Sequence, residues 1–208
     1  MSRLTFKGFK AAGIALVISG SMAACTVFPV PEAPRVMDFP TPPKLNSSSA
    51  SRSESLRIDT PMASDPYNSS RILAKPQPWE YRIYGGVRWR DTIPVLVRDM
   101  LAGAFRASAS FQHVVMDPAP GSADLSLSTE INAFHAINQG DSTRVTVSVY
   151  GQLVNNRSQG ILCSRSFTVS TPAEDKSIDA VVLAFGNAGE QLADELIAWA
   201  TSCDKSPD

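Results

Sequence analysis

Three cysteines and two histidines carry most of the reactive potential of this 208-residue chain: Cys25, Cys163, Cys203, His113 and His135. Such side chains can be acylated or oxidised, hold a metal, or move a proton near neutral pH. The histidines fall on different strand candidates, with no cysteine or carboxylate at ligand spacing. His135 has the parity of the apolar face near a strand end, which reads as a structural histidine. Asp59, Asp65, Asp91 and Asp99 are scattered, and nothing pairs them as acid and base. Neither a G-x-S-x-G elbow nor a Walker loop occurs, and Gly85-Gly86 reads as a bend. No nucleophile stands beside a base. The sequence assigns no catalytic residue, no metal ligand and no enzymatic activity, so the cysteines carry the chemistry.

Cys25 sits where a small apolar run, Ala11–Ala24, meets a proline-rich stretch. Arg3, Lys7 and Lys10 precede that run, with no acidic residue before Cys25. The run has 14 residues, diluted by Gly13, Ser19, Gly20 and Ser21. A spanning helix needs ~20 apolar residues. A basic start, a short apolar middle and a small-residue end describe a secretory signal over residues 1–24. "MAAC", Met22–Cys25, resembles the lipobox of bacterial lipoproteins, with methionine where leucine is usual. That resemblance implies a diacylglycerol on the Cys25 sulfur, an N-acyl chain after cleavage, and no other cofactor. Each buried CH₂ adds ~0.8 kcal/mol, so several chains on one residue hold a domain at a bilayer. Thr26 follows, not aspartate, which in such lipoproteins implies the periplasmic face of the outer membrane.

Removing residues 1–24 leaves 184 residues with a net charge of −4. This mild acidity gives no sign of a nucleic-acid surface, which needs a basic patch. Residues 25–55 read as the lipidated cysteine and a Pro/Ser-rich tether, extended or unstructured, with a short edge strand in "RVMDFP". Residues 56–203 suit one domain, and 204–208 form a tail.

Within that domain "LRID" and "SRILAK" are short strand candidates. "WEYRIYGG" follows, with Trp79, Tyr81 and Ile83 on one face and Glu80, Arg82 and Tyr84 on the other. A helix starts near Asp91 or Thr92, with Pro94 in its first turn. Ile93, Leu96, Val97, Met100, Leu101, Ala104 and Phe105 form its apolar stripe. "FQHVVM", "ADLSLSTEINAFHAI", "STRVTVSVYGQLV" and "GILCSRSFTV" read as strands, the longer ones as a twisted antiparallel meander. In the first long strand Leu125, Leu127, Ile131 and Ile137 share parity; in the second, Val145, Val147, Val149 and Leu153 do. Ser177 caps a closing helix striped by Ile178, Val181, Val182, Phe185, Gly189, Leu192, Leu196 and Trp199. The expected fold is an α+β two-layer sandwich: a largely antiparallel mixed sheet with two main helices packed on one face.

Cys163 has the parity of Ile161 and Phe167, expected to point inward, and Cys203 ends the closing helix. With Cys25 acylated, the two remaining thiols could pair in an oxidising compartment. A Cys163–Cys203 bridge is the favoured reading, and two free thiols remain the alternative because spacing does not fix the Cα separation.

The segment Leu56–Leu101 resembles the ABC-type transport auxiliary lipoprotein component family. Leu56–Ser64, Ser70–Ile72 and Tyr84–Trp89 match its successive strand motifs, and "ADLSLSTEINAF" and the helix ending in Trp199 are similar too. Arg82 and Ile83 depart from its paired tyrosines. The resemblance implies a partner rather than a reaction: a periplasmic mammalian-cell-entry (MCE) domain protein of an ABC transporter that moves phospholipid or other hydrophobic molecules. Some members assemble into rings, so a homo-oligomer is also implied. Tyr84, Arg88 and Trp89 are the candidate partner surface; on the competing reading Trp89 packs beneath the first helix and Arg88 pairs with Asp91 or Asp99. A structural or assembly lipoprotein (pilotin-like or scaffold-like) and a lipid-carrying lipoprotein are the alternative functions.

Overall fold

The alternating pattern of the second half builds the frame. In the computed structural model, which describes residues 32–40, 51–118 and 121–203, three long strands run as an antiparallel meander: β7 (Leu125–Gln139), β8 (Ser142–Asn155) and β9 (Gly160–Pro172). The signal region 1–24, Cys25, the first part of the tether and the tail 204–208 lie outside the described residues. β8 covers one edge of β7 along its length. The other edge of β7 is shared. β2 (Arg52–Ile58) pairs with its beginning in parallel, Met62 bridges Glu130 at its middle, and β3 (Leu73–Gln77) joins at Ala136. β6 (Phe111–Met116) extends the sheet beyond β2, and β4 (Glu80–Ile83) extends it beyond β3. The result is a mixed seven-stranded sheet, mostly antiparallel, in an α+β fold. β1 (Arg35–Met37) and β5 (Val87–Trp89) form a separate parallel pair.

Two helices pack against this sheet and against each other. α1 (Ile93–Ser108) carries its stripe against β6, and α2 (Ile178–Ser202) lies over β8 and β9. Thr92 occupies the α1 N-cap position without a side-chain bond, and the Asp91 carboxylate instead accepts from the Thr92 N–H at 2.7 Å. The Ser177 hydroxyl accepts from the Ala180 N–H, satisfying one of the donors a helix start leaves open. Ile93, Leu96, Val97, Leu101 and Phe105 from α1 join Val181, Phe185, Leu192 and Leu196 from α2 and Val145, Val147 and Val149 from β8 in one core. Gly151 sits directly under α2, where an added Cβ would meet Leu196, Phe167 and Trp199 at 3.4–3.6 Å.

Two β-bulges reset the parity that simple alternation assigns. The first lies between Ile131 and Ala133. Before it Leu125, Leu127 and Ile131 point into the core; after it Phe134 and Ala136 do, so Ile137 and His135 turn to the other face. The second lies where β9 meets the end of β8. Cys163 opposes the buried Leu153, whereas Ile161 opposes Val154 and stands 57 % exposed, so Cys163 and Ile161 do not share a face. One extra residue inverts a period of two.

The folded unit also starts earlier than residue 56. β2 begins at Arg52, whose guanidinium donates to the Cys203 carbonyl at 2.7 Å and pairs with Glu54 at 2.9 Å. Further upstream, Pro34 onward belongs to the same compact unit as the sheet. The part of the tether around residues 35–40 is therefore a strap on the domain rather than a spacer.

Candidate functional site

The strap explains two glycines inside α2. Glycine in a helix interior costs roughly 1 kcal/mol relative to alanine. At Gly189 an added Cβ would lie 2.7 Å from the Phe39 ring, and at Gly186 it would lie 2.9 Å from Pro40. The missing side chains let Phe39-Pro40 lie against the helix backbone. Phe39 then stacks on Trp89 at 5.8 Å between ring centres and meets Phe134 edge-on at 5.8 Å.

That packing decides the Tyr84/Arg88/Trp89 motif. The backbone N–H of Trp89 donates to the Ser70 carbonyl at 2.8 Å, fixing β5 beside the strand approach to β3. Its indole is fully buried, edge-on to Phe185 of α2 at 5.3 Å and in the same core cluster as Ile93, Leu96 and Val97 of α1. A side chain with no exposed surface offers nothing to a partner on the folded surface, so Trp89 leaves the candidate interface. Tyr84 is partly buried against the same core. Arg88 points outward, because neighbours on a strand face opposite ways. It pairs with neither Asp91 nor Asp99, and its guanidinium donates to the carbonyls of Trp89 and Arg90 at 2.9 and 3.4 Å. Arg90 takes the acids instead, Asp38 at 2.7 Å and Asp99 at 2.8 Å, clamping strap to α1. Burial alone would raise the Asp99 carboxyl pKa, but hydrogen bonds from Arg90 and Arg98 outweigh it and hold it below the usual range.

A second aromatic group lies at the surface. β3 and β4 form a hairpin whose tip carries Trp79, 81 % exposed, in "PQPWE". Tyr81 and Ile83 on β4 are also exposed, with Leu73 opposite Ile83. The ammonium of Lys75 lies 5.0 Å from the Tyr81 ring centre. Behind them the Tyr81 hydroxyl meets that of Tyr67 at 2.8 Å, and Tyr67 meets His135 Nδ1 at 2.9 Å. Burial, with Lys75 adding to it, lowers the His135 pKa to about 4. A neutral ring has one donor and one acceptor nitrogen, and its Nδ1 closes a hydrogen-bonded chain of Tyr81, Tyr67 and His135. Burial and the bond to Tyr81 push the Tyr67 phenol up. The triad lacks a nucleophile and a carboxylate; its bonds fasten the hairpin to the sheet. His113 is on exposed β6 surface, far along the sheet from this group.

Cys163 and Cys203 are joined as a disulfide, with Cα atoms 6.2 Å apart. It ties the end of α2 to β9 across 40 positions of sequence. A chain-entropy estimate gives such a closure ~4 kcal/mol. Among the described residues, no group of three or more histidines, cysteines and carboxylates is placed to hold a metal. No helix among them is long and apolar enough to cross a membrane.

Sequence reasoning missed the strap and the hairpin surface. Paired glycines in an otherwise apolar helix and a tryptophan between turn-forming prolines and a strand were the available signals.

Comparison with known proteins bears on the same folded region. The family model described as ABC-type transport auxiliary lipoprotein component matches residues 38–197, from the strap to α2. No curated protein sequence matches the chain. A solved structure of a DUF330-family protein from Xanthomonas campestris is similar, with 24 % identity, 80 % of this chain and 94 % of that one covered, and a TM-score of 0.73. A second, an uncharacterized protein, has 15 % identity, coverage of 80 % and 98 %, and a TM-score of 0.63. At these identities the likeness is one of fold.

Proposed function

The chain belongs to the ABC-type transport auxiliary lipoprotein component family, and from that membership we propose that it is a non-catalytic docking module of an MCE-type transporter, anchored by lipid at the periplasmic face of the outer membrane. The anchor is the diacylglycerol and N-acyl chains on Cys25. The partner is the transporter's MCE-domain protein, and the cargo is phospholipid or another hydrophobic molecule. The observation that carries this reading is the family match across the strap, the sheet and both helices, downstream of a cysteine with lipobox surroundings. The core supports docking rather than carriage: the space between sheet and helices is filled by the side chains of one cluster. The concavity at Glu54, Ser55, Asp124 and Asn155 is open and more polar than apolar. Expression of the full chain together with the genes of an MCE-type transporter from the same genome, followed by affinity purification, tests it. The MCE-domain protein co-purifies with the wild type, and Cys25→Ala moves the chain from the membrane to the soluble periplasmic fraction. Wild type purified without that partner refutes the docking role; unchanged fractionation of Cys25→Ala refutes the anchor.

A further inference from the structure

The β3–β4 hairpin exposes Trp79, Tyr81 and Ile83 at 81 %, 38 % and 53 %. Trp79 heads a short ribbon whose rear is fastened by Tyr67 and His135. An indole or a phenol combines an apolar body with a polar tip, the form enriched where a bilayer meets water.

The local charge runs against that of the whole protein. Residues 71–90 hold five basic side chains and one acidic, in a mature chain of net charge −4. Glu80 takes Arg82, and Asp38 and Asp99 take Arg90. Among the described residues, Arg71, Lys75 and Arg88 form no ion pair. The backbone bond from the Trp89 N–H to the Ser70 carbonyl sets β5 alongside the approach to β3, so Arg71 and Arg88 each adjoin a residue of that bond.

The chain path supplies the third observation. The Arg35 N–H donates to the Gly86 carbonyl at 2.9 Å, three residues from Ile83. The segment leading back to Cys25 therefore leaves the strap next to the hairpin. Ten residue steps separate Cys25 from Arg35, at most ~36 Å when fully extended. Without the strap, the free spacer would reach Arg52 and span up to ~97 Å. Docking of residues 35–40 shortens the leash and fixes where it starts.

We propose that this hairpin is a second membrane contact, with Trp79 seated at the headgroup–acyl boundary of the bilayer that holds Cys25 and with Arg71, Lys75 and Arg88 drawing it to anionic headgroups. The proposal rests on the lipid-anchor reading. Interfacial aromatics supply the apolar contact, and each unpaired cation adds attraction within a Debye length of the surface. The contact orients the domain, so that its opposite end, where α2 meets β9, faces the periplasm.

The lipidated full chain, reconstituted in vesicles of phosphatidylethanolamine and phosphatidylglycerol, provides the test. Half of the preparations contain lipid brominated near the top of the acyl chain. Part of the tryptophan emission is quenched by the brominated lipid, and Trp79→Phe abolishes that quenching, since Trp89 is buried and Trp199 packs on Phe167. Arg71→Gln with Lys75→Gln, or vesicles of phosphatidylcholine alone, reduces it. A chain that floats with the vesicles but shows equal emission in plain and brominated lipid overturns the hairpin contact and leaves the anchor standing. A chain that does not float removes the anchor and this contact with it. Blue-shifted yet unquenched Trp79 emission assigns the surface to a protein partner or a second copy, which also overturns the proposal.

Discussion

Two aromatic groups, drawn from neighbouring stretches of sequence, end in opposite surroundings. Trp89 is fully buried among Phe39, Phe134 and Phe185, whereas Trp79, ten residues earlier, is 81 % exposed above Tyr81, Tyr67 and His135. Both lie in "PWEYRIYGGVRW", Trp79 in the turn before β4 and Trp89 at the end of β5. What differs is the cover. The first group is closed by a strap from residues 35–40 and by a helix thinned with glycine; the second has a polar anchor behind it and nothing described in front. The inner group is a stability device, and the outer one is a surface held ready by hydrogen bonds.

The largest test of this contrast is Trp89→Ala, expected to destabilise the domain by about 3–5 kcal/mol in urea unfolding, through lost burial and a cavity that Phe39, Phe134 and Phe185 cannot refill. A loss below about 1 kcal/mol would deny the inner group its structural role. Next comes acid. His135 has a folded pKa of about 4 against an ordinary 6.5, so between those values the unfolded chain binds more protons. Stability is then complete above pH 6.5 and is lost as pH falls towards 4, by about 2 kcal/mol between pH 7 and pH 5. Lys75, Tyr67 and Tyr81 surround the ring, and none offers an acid to offset its charge. His135→Gln should flatten that part of the pH profile; an unchanged slope would place its origin elsewhere. Gly189→Ala is expected to cost about 1–2 kcal/mol, because overpacking against Phe39 exceeds the gain in helix propensity. Protease cleavage near the strap should speed up in that variant, and equal cleavage would mean that Phe39 yields without undocking. Smallest is Trp79→Ala, within about 0.5 kcal/mol of wild type in the same unfolding assay. A larger effect would make Trp79 part of the fold rather than of its surface.

Much of the architecture is legible in the sequence. The stripe Ile93–Phe105 and the stripe Val181–Leu196 fall on the buried faces of the two helices. The alternation Val145, Val147, Val149, Leu153 marks the buried side of β8. Such patterns are local and survive any tertiary arrangement that gives each element one wet face. Simple alternation misplaces Ile137 and Ile161 because a bulge adds one residue and reverses the side chains beyond it. Asp99, one of the two acids that the structural reading offers Arg88, is held by Arg90, since strand parity alone does not say which arginine reaches α1. "RVMDFP" reads as a short edge strand within a plain tether, because a strap has no periodicity of its own; its docking shows only in the glycines it touches.

The sequence by itself determined the element types, the family and the candidate for lipidation, because periodicity and short motifs are properties of neighbouring residues. Only the tertiary structure decided which tryptophan is sealed and which is offered, where the strap docks on the domain, and that Cys163 and Cys203 are joined. Each of these depends on segments distant in sequence meeting in space: Phe39 with Gly189, Arg35 with Gly86, and the end of the last helix with β9.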